Sequence, residues 1–142
     1  MKNWKNWKKD RKKMKQQKFD VKYIVVHKTG TKPGVVLKEL DKLPYHYVIT
    51  KAGKLLNLKP LKAMEDRIEI ALSGGMDSHG NHIDGRTDEQ NETLFNSLVM
   101  LVEAFPDAKI IGADELYIYG FSNPGFDIKS WLHSYIPAIL FA

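Results

Sequence analysis

The stretch Tyr23-Ile-Val-Val-His27 constrains the fold more than any other. Its four leading residues are aromatic or β-branched, so the run reads as a buried strand. Thr29-Gly-Thr-Lys-Pro-Gly34 follows at once and breaks it. His27 therefore falls where the strand leaves the core, a position suited to facing a cleft. Whether it is a metal ligand depends on the partners that the rest of the chain supplies.

Strands and helices alternate from there on. Pro33 opens a short helix with Leu37 and Leu40 facing inward. Tyr45-His-Tyr-Val-Ile-Thr50 reads as a second strand, Lys51-Ala-Gly53-Lys54 as a tight turn, and Leu55-Leu-Asn-Leu58 as the returning hairpin partner. Arg67-Ile-Glu-Ile-Ala-Leu-Ser73 alternates and then turns apolar, as a central strand does, and Gly74-Gly75 stops it. Thr87-Asp-Glu-Gln90 is a capping box with acids in the first turn. It opens a helix to about Phe105 that buries Leu94, Leu98, Leu101, Val102 and Phe105. Lys109-Ile-Ile-Gly112 is a short parallel-type strand, and residues 113–125 form a loop. Asp127 caps a last helix with Ile128, Trp131, Leu132 and Tyr135 on its apolar side, ending near Pro137. The expected fold is α/β: a mixed central β-sheet flanked by helices. One domain spans residues 21–142, and residues 1–20 form a separate N-terminal arm.

The arm differs sharply from the rest in charge. Residues 1–18 hold nine Lys/Arg and one Asp, a charge of +8, whereas the remainder holds 13 basic and 16 acidic residues, a charge of −3. Only the arm argues for an anionic partner. Trp4 and Trp7 stand three apart and Met14 follows seven later, so a helix here would carry a thin apolar stripe. With Lys8, Lys9, Arg11, Lys12 and Lys13 they form a candidate partner-binding segment for nucleic acid, an anionic surface or a protein groove. The same residues suit a solvated tail, or a helix whose tryptophans dock on the globule.

The chain has no cysteine, so disulfides and thiolate zinc sites are excluded and a metal would need His, Asp or Glu. No apolar run reaches the ~20 residues of a membrane span. The basic N-terminus lacks the apolar core of a secretory signal, so a cytoplasmic or virion-associated protein is expected. Residues 76–86 (MDSHGNHIDGR) bring His79, His82, Asp77 and Asp84 together in sequence. This composition reads as a surface turn, because histidines three apart bind metal well only when a helix aligns them.

The order of motifs resembles the zinc-dependent N-acetylmuramoyl-L-alanine amidases of the phage lysozyme and peptidoglycan-recognition-protein type. The resemblance covers residues 22–136 and excludes the arm. Tyr23-Ile-Val-Val-His27 with Thr29-Gly-Thr31 is similar to the family's first strand, which ends in its first zinc histidine. Pro44-Tyr45-His46 and the Gly53 turn are similar to its Gly-Tyr-His hairpin, whose tyrosine sits beside the zinc. Ile68 to Gly75 is similar to its central strand, and Asp77 to Asp107 to the long-helix segment of its phage and prophage members. Lys109 to Leu116 is similar to the strand with the second zinc histidine, and Asn123-Pro-Gly-Phe-Asp127 to the segment that begins with the third ligand.

The departures bear on chemistry. The family's Gly-His-x-Asp-Leu reads Gly112-Ala113-Asp114-Glu115-Leu116, so alanine replaces the second histidine. Asn123 replaces the third ligand, a Cys, His or Asp, and Phe121 replaces a lysine found in some phage members. The groove-lining loop is shortened to Leu61-Lys-Ala-Met-Glu-Asp66. A catalytic zinc takes about three protein ligands. The resemblance thus leaves His27 and Tyr45 as vestigial, and neither zinc nor any other cofactor is expected. The first reading is a catalytically inactive amidase-fold protein of phage or prophage origin. It would bind a protein or nucleic acid through the arm, or a partner in the vestigial cleft, as a structural or assembly component. The second is an active peptidoglycan hydrolase with a rebuilt zinc site in which Asp114 or a loop histidine joins His27. The third is a peptidoglycan-binding module that does not cut.

Overall fold

The computed structural model describes residues 20–34, 42–62, 66–116 and 124–141. Among them are strands β1 (Tyr23–Lys28), β2 (Tyr47–Ile49), β3 (Leu55–Asn57), β4 (Arg67–Leu72) and β5 (Lys109–Gly112), and helices α1 (Asp88–Ala104) and α2 (Ile128–Phe141). The strands form one mixed sheet in the order β3-β2-β4-β1-β5. β1 runs parallel to β4 on one side and β5 on the other, β2 runs parallel to β4, and only the β2–β3 hairpin is antiparallel. The expected mixed α/β sheet is therefore what forms. The helix expected after Pro33, and the whole arm with its tryptophans and lysines, lie outside the described residues.

The two faces of the sheet differ. Ile24 and Val26 of β1, Tyr47 and Ile49 of β2, and Ile68, Ile70 and Leu72 of β4 point to one side. There they meet Leu94, Leu98 and Leu101 of α1 and Ile128 of α2 in the main core. Each fully buried leucine stabilises by roughly 1.5–3 kcal/mol. The alternate residues point the other way: Val25 clusters with Ile111 and Ala113, and Val48 with Ala71, Leu56 and Tyr45. His27 and Glu69 share this second face by the same alternation.

Helix α1 is fastened at its entry. Thr87 is the N-cap: its hydroxyl accepts the Gln90 N–H at 3.1 Å and donates to the Lys51 carbonyl at 2.6 Å. The Gln90 side chain accepts the Thr87 N–H at 3.1 Å and donates to the carbonyls of Ile49 at 3.1 Å and Ser73 at 2.9 Å. The capping box thus also ties the helix to the ends of β2 and β4. Thr93 donates to the Gly53 carbonyl at 2.6 Å, where the hairpin turn passes close under the helix.

Two boundaries differ from expectation. β2 begins at Tyr47 rather than Tyr45, because the His46 ring supplies the acceptor for the Glu69 N–H that a strand carbonyl would otherwise provide. Helix α2 continues through Pro137 to Phe141. Proline removes one helical hydrogen bond, that to the His133 carbonyl, but its fixed φ is helical.

Candidate functional site

Two of the residues that the sequence singles out, His27 and Tyr45, meet near the C-terminal end of β1. In the parallel register Val25 faces Glu69 and His27 faces Ala71, so Glu69 is the diagonal neighbour of His27 on the same face. His27 Nε2 lies 3.4 Å from Glu69 Oε1. The imidazole is 3% exposed and the carboxylate 22%, so Glu69 forms the rim and His27 lies beneath it. Tyr45 packs its ring against the imidazole at a centroid distance of 4.8 Å and a tilt of 47°. Hydrogen bonding to His27 holds the Glu69 carboxyl below the usual glutamate range, and the positive ends of His27, His46 and Lys59 add to this against the cost of burial.

His27 was expected to open on a cleft, and in this respect the structure corrects the reading: its side chain is buried under the Tyr45 ring and the Glu69 carboxylate. Tyr45 is likewise a buried packing residue, joined to Val48, Leu56 and Ala71. His46 turns from Tyr45 to the backbone of β4. Its N–H donates to the Glu69 carbonyl at 3.0 Å and its Nδ1 accepts the Glu69 N–H at 2.9 Å. The neutral tautomer therefore carries its proton on Nε2.

Ala113 follows Gly112, the last residue of β5, which pairs with Val26, and it opens a 3-10 turn over Ala113–Glu115. It is fully buried, with Val25 and Ile111 around it. Glu115 folds back to accept the Gly112 N–H at 3.0 Å and lies 3.6 Å from Lys129, which takes it away from His27. Asn123 and Phe121 lie outside the described residues. A zinc centre at this position has two facing donors, His27 and Glu69, where a catalytic ion takes three. Among the described residues no group of three His, Asp or Glu side chains converges in a metal-binding arrangement. Among the described residues the facing donors are one fewer than a catalytic zinc takes, and Asn123 lies outside them.

The polar loop of residues 76–86 uses its acids to hold itself. Asp77 accepts the N–H groups of His79 and Asn81, both at 2.9 Å, and these bonds with that of Asn81 foremost keep its carboxyl low. Asp84 pairs with Arg86 at 2.9 Å, and this bond holds its carboxyl low too. Lys28 and Lys51 reach the same loop, donating to the carbonyls of Gly75 at 3.2 Å and of Gly85. Burial pushes both amines below the usual lysine range, against the pull of Asp84.

An open cavity of about 510 Å³ lies at the C-terminal ends of β1, β2 and β4, where parallel sheets commonly receive ligands. Lys32, Thr50, Lys51, Ser73, Asp77 and Ile83 line it, and His27 does not. Glu69 is the site residue that sequence reasoning passed over. Its signal was present: a lone acid inside Ile68-Glu-Ile-Ala-Leu72, at the phase that shares a face with His27 once the strands pair in parallel.

No family model matches the chain, and no curated protein matches it. Among solved structures it is similar to the Ph2119 endolysin from Thermus scotoductus MAT2119 bacteriophage Ph2119. The two share 21% sequence identity at a TM-score of 0.59, over 80% of this chain and 83% of that one. At this identity the likeness is one of fold: the arrangement of sheet and helices is similar to that of a phage endolysin structure.

Proposed function

We propose that this chain is a phage-type protein on the amidase fold whose role is to bind rather than to cut. The observation that carries the reading is the His27–Glu69 pair, 3.4 Å apart. While Nε2 shares its proton with Glu69, it has no lone pair to offer a metal. Hydrolysis of an amide by a metal-activated water needs both the ion and a positive centre for the oxyanion. The buried pair instead fills the end of the sheet with an imidazole set against a carboxylate. The endolysin-like fold supports a peptidoglycan-related setting, and the cavity at the strand ends gives a binding role a place to act.

The test uses the full chain purified without chelators. Metal analysis should find no stoichiometric zinc, and the turbidity of purified cell walls should hold steady. Cell-wall pull-down then separates a peptidoglycan ligand from a protein one. Stoichiometric zinc together with cleavage that His27→Ala abolishes would overturn the reading.

One observation favours a second reading. Glu69 puts a carboxylate next to His27, so two of three donors for a rebuilt metal site already face each other. That reading requires zinc binding to be lost in Glu69→Gln as well as in His27→Ala.

A further inference from the structure

The outward face of α1 has a composition that the core does not explain. The helix carries Asp88, Glu89, Glu92 and Glu103 and not one lysine or arginine. Glu89, Glu92, Asn96, Val99 and Glu103 recur at spacings of three and four, so they share one stripe. Both ends of that stripe are acidic and exposed, and Val99, 43% exposed, sits between them.

Beside the stripe runs a row of half-buried rings from both helices. Phe95 contacts Tyr135 at 4.9 Å, Tyr135 contacts Trp131 at 5.3 Å, and Trp131 meets Phe126 edge-on at 5.9 Å. Arg86 closes the row, with its guanidinium 3.4 Å over Phe126. Burial, with the nearby charges of Glu92 and Asp88, pushes the Tyr135 hydroxyl above its usual range.

We infer that this acidic and aromatic face of α1 and α2 is the docking surface for the chain's own N-terminal arm, residues 1–18. Charge complementarity is the first argument: the arm carries +8 and α1 carries only acids. The second is chemical match. Trp4, Trp7 and Met14 provide the apolar side chains that Val99 and the ring row would cover, and Trp faces receive both rings and cations well. The third is position. The described chain starts at Asp20, and the Lys22 carbonyl accepts the Lys109 N–H at 2.9 Å, so the arm joins the sheet at the N-terminal end of β1, beside the segment that follows α1. From there 18 residues span about 27 Å even when helical, against about 21 Å for the stripe from Glu103 back to Glu89. The inference is independent of whether His27 holds a metal.

Zero-length carbodiimide cross-linking of the full chain tests it, on an equimolar mixture of light and isotopically heavy protein. At ~0.05 M salt the arm lysines should link to Glu89, Glu92 or Glu103 within single chains. Raising salt to ~0.5 M should cut the yield about fivefold, because exposed charges are screened. Trp4→Ala/Trp7→Ala should cut it comparably at low salt. Links spread evenly over Asp66, Asp107 and Asp114, links between light and heavy chains, or a yield that ignores the tryptophans would each overturn the inference. So would an arm that gives no α1 link and instead retards a single-stranded oligonucleotide, which would assign it to nucleic acid.

Discussion

Replacing Glu69 by glutamine keeps its volume and removes its charge, which isolates what the carboxylate does for His27. Its proton affinity is lower in the folded chain than in the unfolded one. The stability it contributes is therefore complete above the ordinary glutamate range and is lost as pH falls through the lower, folded value. Glu69→Gln should cost about 1 kcal/mol at neutral pH, a modest figure because water reaches the rim. The difference from wild type should vanish in acid, as urea midpoints at neutral and acid pH would show. His46→Phe keeps a ring but removes the Nδ1 that accepts the Glu69 N–H. It should cost about 2 kcal/mol by the same urea measurement, since a largely buried donor loses its acceptor. His46 stood in the hairpin motif, but its partner did not show there and Glu69 did not stand out at all, for one physical reason: their roles depend on which strands pair, and pairing is not local. His27 and Tyr45 were found through motif order, and the structure does bring them into contact.

At the scale of elements the sequence was most legible where structure is local. The capping box and the termination at Gly74-Gly75 needed only neighbouring residues. The box reads the same with Glu or Gln at its last position, yet here the two are not equivalent. Gln90 is fully buried and its amide donates to two strand carbonyls. Gln90→Glu would set a carboxylate against both, and it should lower stability by more than about 3 kcal/mol in chemical denaturation. Gln90→Leu should cost somewhat less, because it removes one donor from each carbonyl without adding charge, and Ile49 keeps the Ser73 N–H at 2.9 Å. The glycine pair also proved to be more than a strand stop. Gly74 and Gly75 hold φ of +113° and +92°, and Cβ atoms there would meet the side chains of Lys51 at 2.6 Å and Lys28 at 2.3 Å. The pair is the gap through which two lysines reach the loop. Gly75→Ala should therefore cost more than Gly34→Ala, whose φ of +86° is similar but whose Cβ would have nothing within 4 Å. Backbone strain alone predicts about 1 kcal/mol for Gly34→Ala, and thermal melts of the two variants give the comparison.

For the whole molecule, the α/β class followed from the alternation of patterns, whereas the strand order β3-β2-β4-β1-β5 did not, because crossovers leave no mark in any one segment. Ligand linkage offers a test at this scale. A metal held by the folded state at a hundredfold above its dissociation constant would add about 2.7 kcal/mol and raise the melting temperature by several degrees. Added zinc should leave the melting temperature of this chain where it is, as read by circular dichroism. Ala113 sets how much room the sheet's second face leaves at that position. Its methyl is closed in by Val25 and Ile111, so an imidazole at that position would overpack the cluster by roughly 1–3 kcal/mol before any third donor could reward it. Ala113→His should therefore destabilise the fold on its own, which a thermal melt of the variant would show.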